Sequence, residues 1–147
     1  MKKTTTLIAI ASMAFISLGA LAQAQETAPA SAAYQDIEAT LGVVPSHFKA
    51  YPESAVAGAW AMTKGLLMDP SNSLEPKVKS LINLAVAAQI PCQYCIWLET
   101  KFAKQQGASD AEIAEAVAQA AYVRHWSTVI NGMQIDFETF KAEFGGE

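Results

Sequence analysis

The chain carries only two cysteines and two histidines in 147 residues. Zinc sites usually need four such ligands, and here there is neither a second CxxC nor a nearby histidine pair, so no metal and no cofactor is expected. Positive charge is also scarce: ten basic residues against fourteen acidic ones give a formal charge of −4, which argues against nucleic acid as a partner. Long strand-like alternation of β-branched residues is missing, and that excludes a sheet as the framework. The apolar run Leu7 to Leu21 is short and broken by Ser12, Ser17 and Gly19. It fits a membrane span poorly.

That run has the layout of a secretory signal instead. Lys2 and Lys3 form a positive start, and Ala20-Leu21-Ala22 offers a small-x-small cleavage site. The expected organisation is a signal peptide over 1–22, a flexible Gln/Ala/Pro/Ser-rich tail over 23–32, and one domain over 33–147. An uncleaved anchor is the alternative. Cleavage would place the protein in the periplasm or outside the cell, with the formal charge moved from −4 to −6 by the loss of Lys2 and Lys3.

Helical spacing and helix punctuation recur through the rest, which predicts an all-α domain. A short helix is expected over Tyr34 to Leu41, stopped by Gly42, and a second from Pro52 to about Met68. Asp69-Pro70-Ser71-Asn72-Ser73 is turn chemistry. Ser73 is then the expected N-cap of a third helix, about Leu74 to Gln89. Its run Leu81 to Ala88 is apolar nearly all round, so this helix should be the most buried. Pro91 should open a fourth helix that holds both cysteines and ends at Gly107. Ser109-Asp110-Ala111-Glu112 is a capping box that starts a long fifth helix reaching Asn131-Gly132. A last amphipathic helix places Phe137, Phe140 and Phe144 on one stripe.

The chemistry concentrates in Pro91-Cys92-Gln93-Tyr94-Cys95-Ile96-Trp97-Leu98-Glu99. Within a helix, side chains at i and i+3 sit about 5–6 Å apart between Cβ atoms, whereas a relaxed disulfide wants about 3.8 Å. Closure with strain would make the pair a redox couple, because strained disulfides are easier to reduce. A first-turn position also favours the thiolate. Export permits the plainer reading, a structural disulfide, although so short a loop removes little unfolded-chain entropy.

Glu99 falls one turn after Cys95 on the same face. It is either a proton acceptor for the thiol or an exposed carboxylate paired with a lysine. His125 lies on the row Ile113, Val117, Ala121, His125, which should look inward, as a core histidine or as a second proton shuttle. His47 has less to suggest a role. Trp60, Trp97 and Trp126 suit a core or a subunit contact better than a cofactor box.

The segments Leu41-Gly42-Val43-Val44-Pro45, Leu74-Glu75-Pro76-Lys77-Val78-Lys79, Leu84-Ala85-Val86-Ala87-Ala88, Cys92-Gln93-Tyr94-Cys95 and Gly107-Ala108-Ser109-Asp110-Ala111-Glu112-Ile113 together resemble the carboxymuconolactone decarboxylase family, and within it the alkylhydroperoxidase D (AhpD)-like branch. The resemblance covers about Tyr34 to Gly132. It implies an AhpD-like helical domain that assembles as a homotrimer or homohexamer, with the CxxC pair near a subunit contact. For the peroxidase branch it implies that Cys95 attacks a hydroperoxide and Cys92 resolves the product to a disulfide, whereas thioredoxin-type logic favours Cys92 as the attacker. The branch keeps a glutamate twelve residues before the first cysteine and a histidine four after the second, positions that hold Ser80 and Glu99 here, and Tyr94 stands where a histidine is often found. Any replacement for that relay must come from Glu99, His125 or water. The expected function is an exported thiol-disulfide oxidoreductase acting on a hydroperoxide or on protein thiols. The alternatives are a non-catalytic helical oligomer with a structural disulfide, or a decarboxylase-like enzyme, although the decarboxylase branch usually lacks CxxC.

Overall fold

The computed structural model describes residues 29–146; the expected signal over 1–22 and most of the 23–32 tail lie outside them. Seven helices and no strand occur among the described residues. Helix α1 spans 29–41, α2 Ser46–Lys49, α3 Glu53–Leu67, α4 Pro76–Gln89, α5 Gln93–Gln105, α6 Asp110–Gly132 and α7 Phe137–Glu143. The described residues cluster into two compact units, with the break between Pro70 and Ser71 inside the turn segment.

In the first unit, α1 starts before the expected Tyr34, within the stretch read as tail. The reason is packing: Ala30, Ala33 and Ile37 recur at helical spacing and are all buried, together with Phe48, Val56 and Trp60. Burying side chains such as Ile37 and Val56 stabilises by about 1.5–3 kcal/mol each. The Trp60 ring meets Phe48 edge-on, with centroids 5.7 Å apart. Its indole Nε1–H donates to Asp36 Oδ2 at 2.7 Å, which gives the polar edge of a buried ring its partner. Lys64 also donates to Asp36. The Lys64 bond first, and the Trp60 bond second, hold the Asp36 carboxyl below the usual range.

The second unit is built on α4. Pro76 occupies the first turn and the N-cap is Glu75, extended at φ −60°, ψ 146°, so the cap falls two residues after the expected Ser73. Helices α5 and α6 both pack on α4. Ser80, Leu84 and Ala87 of α4 are buried, but Val78, Ile82, Val86 and Ile90 form an exposed stripe at i, i+4 spacing. The most apolar helix is therefore central without being wholly buried. Ala103 and Ala120 complete the buried set, and small side chains of this kind let α5 and α6 approach closely.

Polar contacts at both ends of α4 fix α6 alongside it. Lys77 Nζ and Glu112 Oε1 are 2.8 Å apart at the two helix starts, while Gln89 at the end of α4 donates to the Ala120 carbonyl. Both helices thus run in the same direction. Helix α5 turns back along α4 and stops at Gly107, φ +83°, where Gly107 N–H bonds Lys104 O at 3.0 Å and Ala108 N–H bonds Ala103 O at 2.9 Å. Ser109 and Glu112 form the expected capping box. Among the described residues no helix is long and apolar enough to cross a membrane.

Hydrogen bonds from Lys77 and then from the Ser109 backbone and hydroxyl hold Glu112 down to about 2. A depressed carboxylate contributes stability above its unfolded value, near 4.5, that is lost as pH falls towards 2. Glu112→Gln is therefore less stable than wild type at neutral pH, and urea unfolding followed by circular dichroism should show the gap closing as pH drops from about 4.5 to about 2. A gap that is independent of pH would contradict this.

Candidate functional site

The corner between α4 and α5 carries both cysteines. Cys92 does not lie in the helix, as expected, but is its N-cap, with extended φ −87° and ψ 97°. Pro91 therefore precedes the cap instead of opening the helix. The extended backbone is what lets the Cys92 side chain turn back over the first turn, where its Sγ accepts the Cys95 backbone N–H at 3.3 Å. The two residues form a disulfide with Cα atoms 5.3 Å apart. Meanwhile the Cys92 N–H bonds Ala87 O at 3.1 Å, which ties the cap to the last turn of α4. Cys92 is half-buried and Cys95 exposed.

This asymmetry has chemical content. On reduction, a sulfur at the Cys92 position sits against an N–H at the positive end of a helix, a setting that favours thiolate. The exposed sulfur of Cys95 is the one an external reactant can reach.

Glu99 sits half-buried on α5, one turn after Cys95. Burial pushes its carboxyl above the usual range, and a hydrogen bond from the Asn83 side chain on α4 offsets part of that rise. The expected alternative, an exposed carboxylate paired with lysine, is not what forms: Asn83 is the partner. Sequence reasoning passed over Asn83, although a single amide inside the apolar run Leu81 to Ala88 is a signal of a buried polar contact. Ser80, at the position where the family resemblance puts a glutamate, is buried.

His125 departs from expectation. Its row does not look inward, for Val117, Ala121 and His125 are all exposed in this chain. The side of α6 that meets α4 passes instead through Glu112, Ala116 and Ala120, where the helices touch through alanine and through the Lys77 and Gln89 contacts. The His125 ring stands edge-on to Trp126, with centroids 5.2 Å apart. His47 is exposed beside Phe48. Trp60 is in the core as expected, while Trp97 and Trp126 are exposed.

The other polar group at the corner is Arg124 of α6. Its Nε–H donates to Gln89 Oε1 at 2.7 Å and Nη2–H to the Gln89 carbonyl at 3.3 Å, three residues before Cys92.

The profile of the carboxymuconolactone decarboxylase family matches residues 54–136, a span that includes the α4–α5 corner and both cysteines. The chain belongs to the carboxymuconolactone decarboxylase family. Among solved structures, the alkylhydroperoxidase AhpD core from Rhodospirillum rubrum superposes with a TM-score of 0.65 at 24% identity, over 94% of this chain and 96% of that one. That likeness shows the AhpD helical fold. No match to a protein of curated function was found. Membership gives the scaffold, and the residues at the corner decide what this member can do on it: a CxxC pair is present, with Glu99 one turn along α5 from its second cysteine.

A raised Glu99 contributes stability that is complete below its unfolded value, near 4.5, and is lost as pH rises through the folded one. Once ionised, it also opposes ionisation of Cys95. In the reduced protein, Glu99→Gln should shift the pH profile of Cys95 alkylation to lower pH, with roughly three- to tenfold faster alkylation near neutrality, as expected for one charge removed a helical turn away. An unchanged profile would show that the two groups are not coupled.

Proposed function

We propose that the protein is an exported thiol-disulfide oxidoreductase that cycles Cys92 and Cys95 between dithiol and disulfide and takes hydroperoxides as oxidant. The observation that carries this reading is the division of roles at the helix start, with an exposed Cys95 and a Cys92 whose sulfur accepts the Cys95 N–H. In the oxidative half, the Cys95 thiolate attacks the terminal oxygen of ROOH. The O–O bond breaks, ROH leaves with a proton, and Cys95 becomes a sulfenic acid. Cys92 then attacks the Cys95 sulfur, the S–O bond breaks and water departs, leaving the disulfide. Glu99 is the proton carrier in this scheme: as the carboxylate it takes the Cys95 proton, burial raises its affinity for that proton, and it then returns it to the leaving alkoxide. In the reductive half an external thiolate attacks the exposed Cys95 sulfur and expels the capped Cys92 thiolate, and a second external thiolate attacks the outer sulfur of that mixed disulfide and frees the Cys95 thiolate.

Reduced protein mixed with stoichiometric hydroperoxide should lose both thiols faster than a Cys95→Ser control, and its disulfide should titrate with a potential above about −300 mV. Equal thiol loss in the control would sink the peroxidase step. A potential below that value would make the disulfide a structural staple of the α5 cap.

Self-association belongs to the same reading. Tyr122 and Trp126 along α6, with Met133, Ile135 and Phe137 beyond it, are all exposed large apolar side chains, and a face of that kind suits a contact with further copies of the chain. Sedimentation should report a trimer or hexamer, and Tyr122→Glu with Met133→Glu should shift the mass towards monomer. A monomeric wild-type protein at micromolar concentration would refute this.

A further inference from the structure

Arg124 is the only arginine in the sequence. Among the described residues no carboxylate pairs with it, although acidic residues outnumber basic ones. Two of its five N–H donors are used on Gln89, which leaves three directed elsewhere. Gln89 is held in turn by its own donation to the Ala120 carbonyl, so the guanidinium is braced at a set orientation by a braced amide.

The place where it is braced is a groove of about 500 Å³ between α4 and α6. Its polar lining is Gln89, Arg124, Gln119 and Ser127, and its large apolar side chains are Val86, Ile90 and Val123. Val86, Ile90 and Val123 are each more than half exposed, so an occupant would remove substantial apolar surface from water. An apolar trough with one fixed, uncompensated cation at its side is complementary to a molecule with an apolar body and a single carboxylate. The planar fork of arginine favours a carboxylate over a spherical anion, since it can offer two parallel N–H bonds.

We propose that this groove is a binding site for an apolar carboxylate, with Arg124 holding the head group and Val86, Ile90 and Val123 the tail. Along the chain its lining on the α4 side ends at Ile90, two residues before Cys92. The site stands in the oxidised protein as it is, independently of whether the cysteines turn over.

Decanoate is the probe, titrated calorimetrically into the oxidised full chain, with decanol and decyltrimethylammonium as controls of equal chain length. Decanoate should bind at least about fivefold more tightly than decanol, and the ammonium compound should bind more weakly than either. Arg124→Gln should reduce decanoate affinity roughly five- to tenfold without changing that for decanol, and Arg124→Lys should fall between, because a point charge replaces the fork. Ser127→Glu places a carboxylate one turn along α6 at the groove, where it competes for the guanidinium while leaving the Gln89 brace in place; it should also weaken decanoate selectively. If Arg124→Gln loses helical structure, Ser127→Glu decides alone. Equal affinity for decanoate and decanol, or decanoate affinity unmoved by the charge change, overturns the proposal.

Discussion

Helix α5 must begin where α4 ends, and Cys92 is the residue at which both requirements meet. Its N–H closes onto the last turn of α4 through Ala87 O, and its sulfur accepts the Cys95 N–H that opens α5. An extended backbone at one residue satisfies an acceptor at the end of α4 and a donor at the start of α5, where an orphan carbonyl and an orphan N–H would otherwise be left. The corner of the hairpin, the exposure of Cys95 and the placing of Glu99 one turn on all depend on that cap. A CxxC at this point is therefore a piece of helix architecture before it is a reagent.

The rest of the second unit compensates for a thin interior. Its buried side chains are mostly small, with Leu84 the one large residue fully removed from water. Close helix approach then brings polar groups into play along the edges: Lys77 with Glu112, Lys104 with Asp110, Gln89 with Ala120 and Arg124, Asn83 with Glu99. Surface pairs of this sort contribute little individually, since solvent screens them. Their value is in register, because each one sets where along α4 its neighbour lies. The first unit works the other way, through a cluster of larger apolar groups and one buried indole with its own acceptor.

Much of this could be read from the chain. Gly107 and the Ser109-to-Glu112 box mark the end of α5 and the start of α6 because they act through local backbone geometry, which a neighbour cannot change. The cysteine pair and its family setting were legible for the same reason. Sequence and structure part where a partner from another helix decides. The start of α1 was hidden because alanines at 30 and 33 look like tail until Phe48 and Trp60 cover them. Glu99 looked equally suited to a lysine or to burial, and Asn83 on another helix settled it. The His125 row looked inward by periodicity, yet α6 has more apolar residues than one face can hold, and the alanine side makes the contact.

The helical class, most helix boundaries and the presence of a two-cysteine corner next to a carboxylate follow from the order of residues alone, because capping, turn chemistry and spacing are properties of short segments. Which faces are covered and which polar groups meet comes from the packing of the helices: Cys92 as cap, Glu99 against Asn83, Arg124 braced on Gln89 beside a groove. Desolvation and pairing are set by atoms from different helices. Periodicity can nominate a face, but the partner that approaches it decides which face is buried.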